Sequence, residues 1–210
     1  MTDSTPAVQN SSSRSAYWQV GSGALLFLAY YAAARFHLFY GAVPGGPTAL
    51  WLPAGIGLAG LLILGRRGLI PIVLAAAAIH APFWFGSGLP PAQATLHLAV
   101  VAAVAAVQPW LACGMWHRFV PGGIQDLGAA LRFVGLVAIA PCTLTTPLLA
   151  ANLLWSGAWA ELPGRVVLAY TSVLTLGSIL GILLVIPLYQ AWIEEGWPTR
   201  RELAQIAVSA

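Results

Sequence analysis

Four histidines are the side chains best equipped for chemistry in this sequence: His37, His80, His97 and His117. A neutral imidazole binds transition metals, and its ordinary pKa near 6.5 suits proton sensing. No two of them share a local ligand motif such as His-Glu-x-x-His. Any joint site therefore depends on how the chain folds back on itself. The two cysteines, Cys113 and Cys142, sit in apolar stretches at a spacing that matches no zinc or redox motif, so both read as small core hydrophobes. Ser156 and Ser178 adjoin glycine, but neither has a base at a fixed offset, and no P-loop, dinucleotide fingerprint or Gly-x-Ser-x-Gly is present. The expectation is a protein with no catalytic residues. Gln108 and Asn152 are polar residues in otherwise apolar runs. They predict interhelical hydrogen bonds worth roughly 0.6–2 kcal/mol each and are candidates for an intramembrane polar pocket.

The elements that must position these residues follow from composition. The chain has 210 residues, 59% hydrophobic and only 7% charged, with mean hydropathy +0.82. Soluble domains carry about 25% charged residues, so this chain has too few polar groups to cover a surface in water. Lipid is the solvent it fits, and helices are the open-ended way to cross lipid with every backbone group bonded. The prediction is an all-α polytopic bundle of six spans, each needing about 20 apolar residues. They are placed at Tyr17–Leu38, Thr48–Gly65, Leu69–Phe85, Ala92–His117, Ala130–Trp155 and Val166–Trp192. Residues 1–16 are polar and Ser/Thr-rich and are expected to be a disordered cytoplasmic N-terminus. Residues 17–192 form the transmembrane domain. Residues 193–210 read as a cytoplasmic connection and the start of a seventh span, because the stretch from Leu203 turns apolar again.

Orientation follows from arginine, since all nine basic residues are arginines. With the N-terminus inside, Arg14, Arg66, Arg67, Arg118, Arg132, Arg200 and Arg201 are cytoplasmic and only Arg35 and Arg165 are outside. This places the protein in a bacterial cytoplasmic membrane as a multi-pass protein. Basic residues spread in this way imply no nucleic-acid partner. Of the six acidic residues only Glu161 is outside and none is mid-membrane, so a carboxylate proton relay lacks its parts. Eight of the nine tryptophans fall near span ends, as an interfacial belt would place them, and Trp110 is the one expected inside the bundle. His80 and His97 lie about five residues inside the outer ends of adjacent spans, roughly 7–8 Å deep at 1.5 Å per residue. They are therefore a candidate pair for metal binding or acid sensing, which His37 can approach. No cofactor is specified by the sequence.

The stretch Trp51-Leu52-Pro53-Ala54-Gly55-Ile56-Gly57-Leu58-Ala59-Gly60, running on to Arg66 and Arg67, is the most distinctive in the chain. Pro53 falls in the first turn of a helix, where its missing N–H costs least. Gly57 and Gly60 are three apart and predict close approach of a neighbouring helix. A second distinctive stretch is Gly177-Ser178-Ile179-Leu180-Gly181, followed by an apolar run to Pro187-Leu188. Together these resemble the membrane-associated sensor domains of the MASE type, at Trp51, Pro53, Gly55, Arg66, Arg67, Gly177, Gly181 and Pro187. Leu52 stands where the family has a further proline, and Ser178 stands where an acidic residue is usual. The resemblance extends from about Leu25 to Trp192.

It implies a sensory input module for bacterial signal transduction, including two-component systems. The partners implied are the lipid bilayer and a cytoplasmic kinase or cyclase output domain; a second copy of the chain is a further candidate. The alternative by length and helix number is a small-molecule transport component, similar to the six-helix substrate-binding subunit of a vitamin importer.

Overall fold

The computed structural model describes residues 9–40 and 49–195, with the side chains of 18–39 and 49–194. The described residues form seven α-helices and no strands. They are α1 (Gln9–Tyr40), α2 (Leu52–Leu64), α3 (Leu69–Gly86), α4 (Pro91–Phe119), α5 (Leu127–Arg132), α6 (Ala140–Trp155) and α7 (Gly164–Glu195). A 3-10 turn, Gly65–Gly68, joins α2 to α3, and a π-helical stretch, Phe133–Ile139, runs α5 into α6.

Local chemistry accounts for the boundaries. Pro53 and Pro91 both sit in the first turn of their helices, where no intrahelical N–H is required. Gly65 ends α2 at φ +59, a conformation that glycine enters without steric cost. The Asp126 carboxylate caps α5 by accepting the Ala129 N–H at 2.7 Å. The π stretch lies directly before Pro141. That ring crowds the carbonyl of Val137 and cannot donate to it, and the wider turn takes up the mismatch.

Of three hydrophobic clusters among the described residues, one lies around Trp84, Ala94 and Val101, and two divide the bundle. One joins α2, α4, α6 and α7 through Ala54, Leu58, Ala112, Trp116, Phe133, Val137, Cys142, Ile182 and Ile186. The other joins α1, α2, α3 and α4 through Leu26, Tyr30, Leu61, Ile72, Ala75 and Ala102. Helices α2 and α4 therefore form the spine, with α1 and α3 on one side and α6 and α7 on the other. Glycines let α2 fit there. A Cβ on Gly60 would fall 2.5 Å from Leu26 of α1, and one on Gly57 would fall 3.3 Å from Pro109 of α4. Both glycines face neighbouring helices, as their spacing predicts.

Among the described residues, four stretches are long and apolar enough to cross a membrane: Leu52–Gly86, Pro91–Phe119, Leu127–Trp155 and Gly164–Glu194. The six spans expected from the sequence are not all reproduced. Helix α1 is not among the four; it carries Gln19, Ser22, Arg35 and His37 within its apolar run. Helix α2 has 13 residues, a rise of about 20 Å against the roughly 30 Å hydrocarbon core. It reaches qualifying length only when taken together with α3.

Three other expectations need correction. The segment Gln9–Ala16, expected to be disordered, is the first part of α1; extending an established helix is far easier than nucleating one. Trp110 is 49% exposed, because Pro109 takes the inward position beside Gly57 and turns the next residue outward. Trp84 and Trp116, assigned to the interfacial belt, are 1% and 8% exposed and pack in the interior. Residues 1–8 and 196–210, including Arg200, Arg201 and the expected start of a seventh span, lie outside the described residues, as do residues 41–48.

Candidate functional site

Two of the buried polar side chains, His97 and Asn152, meet at the end where α3 finishes, α4 begins and α6 finishes. Residues 87–90 connect α3 to α4, so the last turns of one lie beside the first turns of the other. His97 sits on α4 about 9 Å from its start by helical rise, and is 4% exposed. Its Nδ1–H donates to Asn152 Oδ1 on α6 at 2.8 Å, and Asn152 Nδ2–H donates to the His97 carbonyl at 3.3 Å. This reciprocal pair fixes the orientation of both side chains. With the proton on Nδ1, the neutral ring carries its free lone pair on Nε2.

Aromatic rings enclose the imidazole. Trp84 stacks on it at 5.0 Å between centroids and 16° between planes, and Trp155 meets it edge-on at 4.9 Å and 69°. Trp84 Nε1–H is buried without a hydrogen-bond partner among the described residues. A lost hydrogen bond of this kind costs about 1–3 kcal/mol. Beside the imidazole lies a cavity of about 320 Å³ lined by Leu89, Gln93, Leu96, His97, Trp155 and Ser156.

The other residues singled out in the sequence go elsewhere. His80 donates Nδ1–H to the Ala76 carbonyl and His37 donates to the Ala33 carbonyl, both at 2.9 Å within their own helices. His37 also meets the Trp51 ring edge-on at 6.3 Å. The residue of α3 that faces His97 is Trp84, one turn closer to the connection than His80. No group of three His, Cys, Asp or Glu side chains converges among the described residues. Gln108 and Asn152 do not share a pocket. Gln108 Nε2–H donates to Cys142 Sγ at 2.9 Å, three turns along α4 from His97. The sequence signals for the aromatic enclosure were the short 87–90 connection, which sets Trp84 level with His97, and the three-residue spacing of Asn152 and Trp155.

The two distinctive sequence stretches meet directly. Trp51 N–H donates to the Gly177 carbonyl at 2.9 Å, a backbone bond between the start of α2 and the middle of α7. A Cβ on Gly181 would collide with the Trp51 carbonyl oxygen and lie 2.7 Å from its carbon. A Cβ on Gly55 would collide with the Gly181 carbonyl oxygen and lie 2.6 Å from Val185. The residues pair in ascending order, so α2 and α7 run parallel in backbone contact. Pro187 lies two residues beyond Val185 on the same helix, and Arg66 and Arg67 are exposed at the far end of α2.

That far end has its own tether. Gln190 of α7 accepts the Ile124 N–H at 2.9 Å and donates to Glu194 at 2.7 Å. Gly123, at φ +82, lets the backbone pass close over the Gln190 amide. The loop between α4 and α5 is thereby tied to the last turns of α7. Arg66, Arg67 and Arg118 lie at this end of the bundle, Arg165 lies at the end that holds His97, and Arg35 lies two residues before His37, near the level of Trp51.

No curated protein and no solved structure gives a significant match to the chain. A family model, MASE1, matches residues 22–208. That match takes in both glycine stretches, their backbone contact, and the apolar helices that make this a multi-pass membrane protein. The chain belongs to the MASE1 family of membrane sensory domains.

Proposed function

We propose that the chain is the sensory input module of a bacterial signalling protein in the cytoplasmic membrane. It controls a kinase or cyclase output domain on the cytoplasmic side and performs no catalysis itself. In this reading the N-terminus is cytoplasmic and the chain crosses six times, with α1 the first crossing and α2 and α3 the second and third. The His97 cavity then faces outward, and the Gln190 tether faces the cytoplasm. Positive charge supports this orientation, because arginines concentrate at the tether end.

The observation that carries the proposal is the contact of Trp51 and Gly55 with Gly177 and Gly181. A ligand-driven shift at the His97 end moves α4 and α6. Helix α2 packs on α4 through Gly57 and on α7 through Gly55, so it passes that shift to the helix leading to the output side. Close-packed helices switch between discrete packings and do not deform continuously. A gap of a few kcal/mol between two packings is enough for a signal to reverse their populations.

The test is the side of the membrane on which each end of the bundle lies. Alkaline phosphatase fused after Ser87 is expected to be active, and after Gly123 inactive. A cyclase fused after Glu195 is expected to work on cytoplasmic nucleotide. The opposite pattern would put the tether end outside, where no cytoplasmic effector can be driven, and would defeat the proposal.

A further inference from the structure

The cavity beside His97 has a lining that restricts what it can hold. Leu89, Gln93, Leu96, His97, Trp155 and Ser156 include no Asp, Glu, Lys or Arg. A formally charged occupant would leave water without meeting a counter-charge, which is costly. A metal ion would find a single imidazole nitrogen, short of the four ligands that a zinc site takes. The volume of about 320 Å³ falls at the lower end of the roughly 300–1,000 Å³ typical of small-molecule sites.

Its hydrogen-bonding needs are lopsided. His97 Nδ1–H is committed to Asn152. Ser156 Oγ donates to the Leu153 carbonyl at 2.9 Å and accepts the Ala158 N–H at 3.3 Å. His97 Nε2 has no partner among the described residues and is not sealed from solvent; the cavity is the open space that His97 borders. Gln93 is exposed and its amide can turn to suit, so the unmet demand of fixed direction is for a donor opposite His97 Nε2. Turning the ring to avoid it would break the bond to Asn152.

We infer that this cavity binds one small uncharged molecule, which donates an N–H or O–H to His97 Nε2 and lays an apolar or aromatic body against Leu89, Leu96 and Trp155. The inference rests on the sensor reading only for its meaning as a signal; binding is a property of the chain alone. The donor can belong to a dissolved molecule or to a lipid hydroxyl, and the two sources share this chemistry.

The experiment uses indole, an uncharged aromatic N–H donor, and 1-methylindole, which lacks the donor. Each is titrated calorimetrically into the purified chain, in lipid nanodiscs and after delipidation in detergent. The expected result is saturable binding of one indole per chain, weakened at least tenfold for 1-methylindole. His97→Phe, which keeps an aromatic ring over Trp84, should lose that preference. Leu96→Trp, which fills the cavity without touching the Asn152 pair, should abolish binding while the chain stays folded. Binding in both preparations points to a dissolved ligand; binding only after delipidation points to a lipid hydroxyl as occupant. Absence of saturable binding in both overturns the inference, as does equal affinity for the two probes or binding unaffected by Leu96→Trp. Indole binding with no effect of Leu96→Trp on the output of a cyclase fused after Glu195 would remove the sensor reading and leave the site. Output controlled by the membrane chain without indole binding would do the reverse.

Discussion

Substituting Gly181→Ala tests the backbone contact between α2 and α7. The added methyl collides with the Trp51 carbonyl oxygen and lies 2.7 Å from Trp51 C and 3.2 Å from Leu52 Cα. These are main-chain atoms, so no side-chain rotation relieves the overlap. Restoring contacts of about 3.5 Å to the oxygen requires the helices to part by about 1.5 Å. The Trp51 N–H to Gly177 carbonyl distance, 2.9 Å at present, would then approach about 4.4 Å, beyond hydrogen-bonding range. Overpacking costs about 1–3 kcal/mol, and an interhelical hydrogen bond in a membrane is worth about 0.6–2 kcal/mol. The expected loss is about 2–5 kcal/mol, measured by reversible unfolding of the purified chain in mixed micelles. Gly114→Ala is the control. It lies within α4 with open space around it, so alanine should be neutral or stabilise by up to about 1 kcal/mol. If Gly181→Ala unfolds within about 0.5 kcal/mol of the parent, the backbone contact is not what holds α2 against α7.

Two further substitutions probe the His97 site. Asn152→Leu removes the acceptor of His97 Nδ1–H and should cost about 1–3 kcal/mol by stranding a buried donor; the same unfolding assay reads it, and an unchanged midpoint would contradict the pairing. Trp84→Phe keeps a ring stacked on His97 but deletes the buried Nε1–H that has no partner. Stability should therefore hold or rise by about 1 kcal/mol, whereas removal of a large side chain that is fully satisfied would lower it.

Much of this architecture was legible because lipid imposes simple constraints. Apolar runs marked α1, α3, α4, α6 and α7, and Gly57 and Gly60 announced close packing of α2. The brevity of α2 was not legible. Residues from Thr48 onward are apolar enough to read as span, yet Trp51 N–H is bonded to α7 and helix begins only at Leu52. Rotation about each helix axis was also hidden. In helices that are apolar nearly all round, hydropathy does not say which face is buried. Trp84 and Trp110 were consequently placed on the wrong sides. At the candidate site, the position of His97 along its helix could not by itself choose between His80 and Trp84 as its neighbour. Gln108 and Asn152 were recognised as interhelical hydrogen-bonders. Their partners, Cys142 and His97, depend on the register of α4 against α6, which no local pattern encodes.

The central claim is that the packing of α2 against α7 sets the state of a cytoplasmic output. It is tested most directly by fusing a diguanylate cyclase after Glu195 and measuring cyclic dinucleotide in cells carrying the parent, Gly55→Ala, Gly181→Ala or Gly114→Ala chain at matched membrane abundance. The account predicts that Gly55→Ala and Gly181→Ala each change product at least threefold in the same direction, while Gly114→Ala matches the parent. Equal product from all four inserted chains would contradict it.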